Sequence, residues 1–268
     1  MINSLISKIK RKKIKIGIIG LGYVGLPLAT RFIDKKIDIT GIETDNDKID
    51  YLKKGKSYIP NIEKKNILYF KKNKKKISKN YKLLSNMDII FICLPTPLKQ
   101  KNLPDMEILN KCIDNLKKVV KKNQILILES TVYPGATHEL FNRLNEKKLF
   151  DLGKNFFLIF SPERENPGDK LFTYKITPKV LGGATKNCAK IGKEIYKIIV
   201  KKIHTTKSIE IAEMSKLLEN SYRSVNIGLV NEFKLIAQKM NINIWEVIEA
   251  AKTKNFGFRP FDPGPGTG

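Results

Sequence analysis

Three glycines near the start of the sequence have the spacing of a phosphate-binding loop. They belong to the segment Gly20-Leu-Gly22-Tyr23-Val24-Gly25, which follows an apolar run and opens a helical pattern. In this context Gly20 permits a tight turn, Gly22 lets the backbone approach a diphosphate, and Gly25 lets the helix pack closely on the strand. Free N–H groups at the helix start attract phosphates. We expect this loop to bind a dinucleotide; the alternative is that the glycines serve only a turn.

An acid after the second predicted strand indicates which dinucleotide is bound. Glu43 follows the glycines by about twenty residues, where a carboxylate accepts hydrogen bonds from both adenosine ribose hydroxyls. Its charge also repels a 2′-phosphate, which favours NAD over NADP. Charge-assisted hydrogen bonds are worth about 1.5–3 kcal/mol each, so Glu43→Ala is expected to weaken NAD binding about tenfold or more. A surface acid at a strand end is the alternative.

The elements that would position these residues alternate between strands and helices. Apolar, β-branched runs with little polar alternation are typical of strands covered on both faces. Such runs cover Ile14–Ile19, Asp38–Ile42, Asp88–Leu94, Ile125–Glu129 and Phe156–Phe160. The helical patterns between them cover Val24–Asp34, Lys48–Lys54, Met106–Lys121 and Thr137–Glu146. The alternation predicts parallel pairing with right-handed crossovers, and hence a doubly wound Rossmann-type α/β fold.

The later sequence predicts a change to helical structure. Its predicted elements are the strands Lys179–Gly182 and Lys201–Thr205 and the helices Asn187–Val200, Ser208–Met240 and Ile244–Lys252. We expect a basic extension at 1–12, an NAD-binding domain at 13–206 and an incomplete central helical domain at 207–268. The Gly/Pro-rich tail Gly257–Gly268 has no element to anchor it, so a truncated chain is the simplest interpretation.

Composition argues against several other classes of protein. The 51 Lys and Arg outnumber 26 Asp and Glu, giving a formal net charge of +25, but only six of the cations are Arg. Nucleic-acid readers favour clustered Arg with aromatic platforms, so no nucleic-acid partner is expected. The run Lys71–Lys76 is expected to be a solvated face, with contact to an anionic partner as the alternative. The longest uncharged stretch, Ile16–Thr30, is too short to cross a bilayer.

The three cysteines and two histidines show no catalytic or metal-binding spacing. Cys93, Cys112 and Cys188 are too scattered for a disulfide framework or metal site, which favours a reducing cytoplasm. They lie on predicted strands or helices and are expected to be small core residues. His138 and His204 lack the partners of a catalytic dyad and are expected to be ordinary polar positions.

Five ordered segments resemble motifs of the UDP-glucose/GDP-mannose dehydrogenase family. They are FICLPTPL (91–98), LESTVYPG (128–135), SPERENPG (161–168), KLLENSYR (216–223) and FRPFDPGPG (258–266). The ESTVYPG and SPEREN variants are most similar to the branch that acts on UDP-N-acetylglucosamine or UDP-N-acetylmannosamine. In the family, the last segment runs directly into the one that carries the catalytic cysteine.

The resemblance implies oxidation of a sugar alcohol. Family members convert the C6 alcohol of a nucleotide sugar to a carboxylate with two NAD, through an aldehyde, a cysteine-bound thiohemiacetal and a thioester. It implies a UDP-sugar substrate, a role in making surface-polysaccharide precursors, and homodimerisation through the long helix. A third, nucleotide-sugar-binding domain is missing from the sequence. We therefore expect the chain to bind NAD but not to complete the oxidation.

The resemblance also implies roles for individual residues. Lys216 and Asn220, four positions apart on a helix, would form an oxyanion-binding pair, although spacing alone leaves a solvent-facing Lys open. Glu163 would be the general base for hydrolysis and Thr131 would orient the water; both follow predicted strands, where parallel sheets bind ligands. A helix cap or surface acid is the alternative for Glu163.

Further cofactor contacts are expected on the same grounds. We expect the nicotinamide side of the cofactor to contact Thr96 and Ser130, together with Pro95 and Thr131. Lys48 is expected to contact the adenosine end; the alternative is that its side chain is solvated. Without a covering domain, apolar positions of the long helix are expected to be partly exposed, namely Leu217, Leu218, Ile227, Leu229 and Phe233.

Four other interpretations stay open. The chain could be a non-catalytic NAD-binding remnant or belong to a UDP-glucose 6-dehydrogenase. It could also be a Rossmann enzyme of the β-hydroxyacid or 6-phosphogluconate dehydrogenase type, which would not need the PTPL, STVYPG and PGPG segments together. A basic binder of nucleic acid or anionic surfaces is supported by net charge alone.

Overall fold

A computed structural model describes residues 2–60, 62–100, 103–164 and 177–266. Within them, eight strands form one sheet in the order β3-β2-β1-β4-β5-β6-β7-β8. The strands are β1 (Lys15–Ile19), β2 (Asp38–Ile42), β3 (Ile77–Ser78), β4 (Ile89–Ile92), β5 (Ile125–Leu128), β6 (Phe157–Phe160), β7 (Lys179–Gly183) and β8 (Ile203–Thr205). The predicted α/β fold is confirmed, and the observed strand bounds lie within a residue or two of those expected, as boundary fraying allows.

Nine α-helices and two short 3-10 helices, Lys74–Lys76 and Tyr81–Asn86, accompany the sheet in the described residues. The α-helices are α1 (Ile2–Lys10), α2 (Gly25–Asp34), α3 (Asn46–Lys54), α4 (Lys64–Lys72), α5 (Glu107–Leu116), α6 (Ala136–Leu144), α7 (Lys186–Tyr196), α8 (Ile209–Lys239) and α9 (Ile244–Lys252). None is both long and apolar enough to cross a membrane.

The central strands are buried on both faces, which explains their lack of polar alternation. Every residue of β4, β5 and β6 is buried. Alternate residues along a strand enter different apolar clusters: Phe91 belongs to one, while Ile90 and Ile92 belong to the other. Successive strand side chains point to opposite faces, so each cluster is the packing layer on one side of the sheet.

The chain order places two strand ends side by side at the centre of the sheet. β1 pairs in parallel with β2 on one side and with β4 on the other, and Ile19 lies opposite Ile92. The loops that follow β1 and β4 therefore leave the same edge from neighbouring strands. In doubly wound sheets this switch point is where ligands bind.

The sequence left several elements unidentified. The N-terminal residues form α1, whose Ile6 and Ile9 are buried, while Lys8 pairs with Asp88 at 2.5 Å. Helix α4 and strand β3 are also unpredicted. Strand β7 runs antiparallel to β6, with Phe160 opposite Gly182, before β8 resumes parallel pairing with β7.

The chain divides into two compact units, Met1–Met214 and Ser215–Gly268. In the second unit, Ala237 of α8 packs with Ile244 and Ile248 of α9. The Asn231 side chain donates to the Gly264 carbonyl at 2.9 Å and accepts from its N–H at 3.0 Å. The tail is therefore tied to α8, and the expectation that nothing anchors it is wrong. Residues 267 and 268 lie outside the described part.

Four of the five apolar side chains of α8 that were expected to be partly exposed are so in the structure. Leu218, Leu229 and Phe233 are more than half exposed, and Leu217 is half-buried. Ile227 is only 7% exposed, so the expectation for this residue is wrong. Its side chain lies on the buried side of a helix whose apolar residues occur all around its axis.

Candidate cofactor and active site

The glycine loop has the shape that a diphosphate requires. Gly20 has a φ of +83°, and a Cβ there would lie 2.6 Å from the Cys93 carbonyl oxygen. A Cβ at Gly25 would lie 1.9 Å from the Gly20 carbonyl oxygen, so only glycine fits. A Cβ at Gly22 would meet nothing within 4 Å, which leaves open space beside its backbone. The loop therefore fits a bound dinucleotide: two glycines are required by packing, and the third faces room for a ligand.

The start of α2 adds an electrostatic attraction for anions. The helix begins at Gly25 and has no acidic residue in its first turn. The positive end of its macrodipole favours a phosphate here, although the Leu26 and Leu28 N–H groups already donate to the Gly22 and Val24 carbonyl oxygens. Tyr23 is 67% exposed, whereas Val24 is half-buried at the N-terminal boundary of the helix.

Glu43 is buried directly after β2 and is bound to the glycine loop. Its Oε2 accepts from the Leu21 N–H at 2.9 Å, and its Oε1 accepts from the Thr44 and Asp45 N–H groups at 2.8 and 3.2 Å. A carboxylate offers about four lone-pair positions, so about one is left for a ribose hydroxyl. The acid thus has a role in shaping the loop that its position in the sequence did not reveal.

Tyr58 is a further residue at this loop that the sequence motifs did not mark. It lies between α3 and α4 and donates its hydroxyl to the Leu21 carbonyl oxygen at 2.6 Å. Burial, with the negative charges of Glu43 and Asp45, raises the pKa of Tyr58 far above its ordinary value. Lys48 lies with its Nζ 6.0 Å from the Tyr58 ring centroid and 3.7 Å from Asp45 Oδ2.

The loops after β4 and β5 are joined by hydrogen bonds. Ser130 Oγ donates to the Leu94 carbonyl oxygen at 2.7 Å and accepts from the Leu94 N–H at 3.0 Å. Thr96 Oγ1 donates to the Thr131 carbonyl oxygen at 2.7 Å, and Pro95 is exposed between these links. Four predicted cofactor residues therefore gather at the same sheet edge as the glycine loop.

Glu163 lies beyond β6 at this edge and is surrounded by cations. Its Oε2 lies 3.8 Å from Arg31 Nη1 and 3.6 Å from Lys179 Nζ, and its Oε1 accepts from the Arg164 N–H at 2.8 Å. These contacts argue against the alternative that Glu163 is a solvent-exposed acid at the surface. The remainder of the SPERENPG segment, residues 165–168, lies outside the described residues.

A buried ion pair supports this cation cluster and was not foreseen. Lys179 Nζ lies 2.5 Å from Glu129 Oε2, and the Tyr196 hydroxyl donates to the other oxygen of Glu129. The Lys179 side chain is 7% exposed and the Glu129 side chain is 0% exposed. Burial alone would lower the pKa of Lys179, but Glu129 and Glu163 outweigh it and raise that pKa. The sequence feature that could have indicated this ion pair is Glu129, an acid at the end of an otherwise apolar predicted strand.

Acidic residues of α8 hold the start of α6. Glu213 is fully buried and accepts from the Gly135 N–H at 2.6 Å and from the Thr137 N–H at 2.9 Å. His138 Nδ1 lies 2.9 Å from Glu210 Oε1, so this histidine makes a partly exposed contact with a carboxylate that the sequence did not predict. His204 is exposed on β8.

Lys216 and Asn220 lie one turn apart on α8, both half-buried. Asn220 Oδ1 accepts from Arg223 Nη2 at 3.0 Å. Both residues belong to the second compact unit. The helix thus presents the ammonium and the amide on one face, as their spacing predicts.

The three cysteines are confirmed as buried core residues. Cys93 follows β4, while Cys112 and Cys188 lie in α5 and α7. Burial raises the pKa of Cys112 to about 12 and that of Cys93 well above its ordinary value. In the described ranges, no group of His, Cys, Asp or Glu side chains is arranged to hold a metal ion.

The lysine run at 71–76 is largely exposed, as expected for a solvated face. Lys76 is the exception, because its ammonium contacts the Asp38 carboxylate and the Tyr69 hydroxyl. The run therefore contributes one structural contact as well as surface charge.

Similar proteins support a single family. A UDP-N-acetyl-D-glucosamine 6-dehydrogenase of Pseudomonas aeruginosa is 37% identical over 257 residues, or 94% of this chain and 60% of that protein. A UDP-N-acetyl-D-mannosamine dehydrogenase of Methanocaldococcus jannaschii is 34% identical over 95% of this chain and 58% of its own length. The structure of the UDP-D-ManNAc dehydrogenase from Pyrococcus horikoshii superimposes with a TM-score of 0.86 at 30% identity, covering 94% of this chain and 60% of that one.

The chain spans about 60% of the length of these curated relatives. Residues 14–200 match the NAD binding domain of the UDP-glucose/GDP-mannose dehydrogenase family, and residues 210–268 match the family's central domain. Motifs, fold and glycine-loop geometry agree with these matches, and the chain belongs to the UDP-glucose/GDP-mannose dehydrogenase family.

Proposed function

We propose that this chain supplies the NAD-binding part of an NAD-dependent UDP-N-acetylhexosamine 6-dehydrogenase, which oxidises the sugar C6 alcohol to a carboxylate. The observation that carries the proposal is that the glycine loop, the Ser130–Thr131 loop and Glu163 all follow parallel strands at one edge of one sheet. Relatives at 34–37% identity bear the names of UDP-N-acetylglucosamine and UDP-N-acetylmannosamine dehydrogenases.

Cofactor binding would use the loop and the buried acid together. The backbone beside Gly22 and the N-terminus of α2 would hold the diphosphate, and Glu43 would accept a hydrogen bond from the adenosine ribose. Pro95, Thr96 and Ser130 would line the nicotinamide side, with Lys48 near the adenosine end. NAD, when bound, supplies the acceptor for the hydride that leaves the alcohol carbon.

The remaining proposed roles concern proton transfer and charge. Glu163 would take the proton from the water that hydrolyses the acyl intermediate, while Thr131 would orient that water. Lys216 and Asn220 would stabilise negative charge on the reacting oxygen. A thiol nucleophile is also needed, and the three buried cysteines of this chain do not supply one.

The proposed organisation follows from these roles. We propose an NAD-binding domain at 13–206, preceded by the basic segment 1–12, and a central helical domain from 207 onward. The family's homodimer, a UDP-sugar substrate and a cytoplasmic setting complete the proposal. Neither nucleic acid nor membrane has a part in it.

Calorimetry and an NADH assay test the proposal in two steps. The 268-residue chain is expected to bind NAD more tightly than NADP and to form no NADH from UDP-N-acetylglucosamine, UDP-N-acetylmannosamine or UDP-glucose. Extension with the remaining carboxy-terminal part of the Pseudomonas aeruginosa relative is expected to restore oxidation of an N-acetylated substrate. A folded, NAD-binding chimera that preferred UDP-glucose would contradict the proposed substrate.

A further inference from the structure

Both polar backbone groups of Leu21 are held by side chains from other segments. Its N–H donates to Glu43 Oε2 at 2.9 Å, and its carbonyl oxygen accepts from the Tyr58 hydroxyl at 2.6 Å. The Leu21 side chain is fully buried and fills the space above Gly41 of β2. This residue, between the first two glycines of the loop, is therefore fixed from three directions.

Such fixation matters because the loop is rich in glycine. Gly20 and Gly22 have a wide choice of backbone conformations, and ordering them when a ligand binds costs conformational entropy. A loop that is already held in its binding conformation avoids much of that cost. The Leu21 peptide groups lie directly beside both glycines, so contacts to Leu21 restrict the part of the loop that faces the ligand.

Tyr58 is suited to this role by its surroundings. Its raised pKa keeps the hydroxyl protonated, so it remains a donor to the Leu21 carbonyl over the whole physiological range. Tyr51 packs edge-on against its ring, with centroids 6.5 Å apart and planes at 69°. The ring is therefore positioned by packing, and the hydroxyl is available for one specific bond.

We propose that Tyr58 is a positioning residue for the cofactor: through Leu21 it holds the glycine-rich loop in the conformation that receives the dinucleotide's diphosphate, and it keeps that loop against Glu43. The inference rests on the NAD site of the proposed function. It requires no contact between Tyr58 and the cofactor.

The test compares Tyr58→Phe with Tyr51→Phe in the complete 268-residue chain. Tyr58→Phe deletes only the hydroxyl and is expected to raise the Kd for NAD and for ADP-ribose by the same factor, about 3- to 10-fold, as the loss of one hydrogen bond implies. The equal factor arises because both ligands carry the diphosphate. Tyr51→Phe, at a tyrosine that is 47% exposed, is expected to leave both constants unchanged.

Amide hydrogen exchange without ligand provides a second readout. In Tyr58→Phe, exchange of the Leu21 and Gly22 amides is expected to accelerate, while the thermal midpoint falls by no more than about 4 °C and the amides of β4 exchange as in the wild type. Unchanged Kd values, unchanged exchange at Leu21, or a loss of NAD affinity matched by general unfolding would each overturn the inference. If the wild-type chain failed to bind NAD, the proposed cofactor site itself would be wrong. If the wild type bound NAD and the Tyr58→Phe variant bound it equally well, only the inference about Tyr58 would be wrong.

Discussion

Glu213, on the second turn of α8, accepts hydrogen bonds from both the backbone N–H and the hydroxyl of Thr137, at 2.9 and 2.6 Å. Together with the bond from the Gly135 N–H, these contacts satisfy donors at the start of α6. The carboxylate therefore acts as an N-terminal cap for α6, although it comes from a helix that begins more than seventy residues later. It also places a negative charge at the positive end of α6.

Removing this long-range cap is expected to destabilise the first unit. Glu213→Gln keeps the volume but presents an amide donor to backbone donors, so about 2–3 kcal/mol of unfolding free energy is expected to be lost. Urea titration followed by circular dichroism measures the change. Glu210→Gln, which affects a partly exposed pair with His138, is the matched control and is expected to cost less than about 1 kcal/mol. Equal losses in the two variants would show that burial of the Glu213 bonds is unimportant.

Glu43 is expected to determine the choice between NAD and NADP. Glu43→Ala removes the ribose acceptor and the bond to Leu21, so NAD affinity should fall about tenfold or more, while NADP, which the charge repels, should lose less. Calorimetry with both dinucleotides gives the ratio of dissociation constants. Asp47→Asn on the exposed side of α3 is the control. An unaltered NAD affinity in Glu43→Ala would rule out the assigned role.

The Lys179–Glu129 pair is expected to show strong coupling in a double-mutant cycle. Lys179→Met leaves Glu129 buried without its cation and should cost about 3–5 kcal/mol. Adding Glu129→Gln removes the stranded charge, so the double variant should recover much of the loss, as denaturant unfolding would show. Additive effects of the two substitutions would indicate that the pair is energetically independent.

The thiols are expected to be unreactive in the folded chain. Cys93, Cys112 and Cys188 are 7%, 2% and 0% exposed, so a thiol reagent at neutral pH should label none of them before denaturation and all three afterwards. Rapid labelling of one cysteine in the native chain would reveal an accessible thiol and would reopen the question of a nucleophile.

The raised thiol pKa also predicts a pH dependence of stability. Cys112 has a folded-state pKa of about 12 against an ordinary value of 9.0. Above its ordinary pKa the unfolded thiol releases its proton while the folded one keeps it, so stability should fall as the pH rises from 9.0 toward 12. Cys112→Ala should lessen that fall in denaturant titrations at alkaline pH. A wild type and a variant with parallel pH profiles would contradict the assignment.

The exposed apolar residues of α8 are expected to drive self-association. Leu229 and Phe233 are 53% and 52% exposed and lie one turn apart. The double variant Leu229→Lys/Phe233→Ser should shift the chain toward monomer in light scattering, whereas Lys234→Ser should not. A wild-type chain that is monodisperse and monomeric would contradict this expectation.

The sequence predicted those features that depend on local pattern. The glycine spacing and the unbroken Ile-rich runs identified β1, β4 and the loop between β1 and α2, because each requirement involves neighbouring residues. Contacts between distant segments were not predictable in this way. Tyr58 reaches Leu21 from 37 residues away, and His138 meets Glu210 across 72. No local pattern encodes such pairs.

The predictions for two segments were wrong for other physical reasons. In α1, the apolar spacing of Ile2, Leu5, Ile6 and Ile9 is helical, but a high local density of Lys suggested an extension. The anchoring of the tail involves the amide of Asn231 on α8, which bonds Gly264 across 33 residues of sequence, and no local pattern marks that pairing. Glu43 was correctly located at the end of β2, yet its three backbone donors could be counted only in three dimensions.

The reversed direction of β7 has a consequence for the cation cluster around Glu163. Because β7 runs opposite to β6, its first residue, Lys179, lies at the sheet edge where β1, β4, β5 and β6 end. There its ammonium lies 3.6 Å from Glu163 Oε2. A strand running parallel to β6 would carry its first residue to the opposite edge, so the reversal is what allows a strand's opening residue to join this cluster.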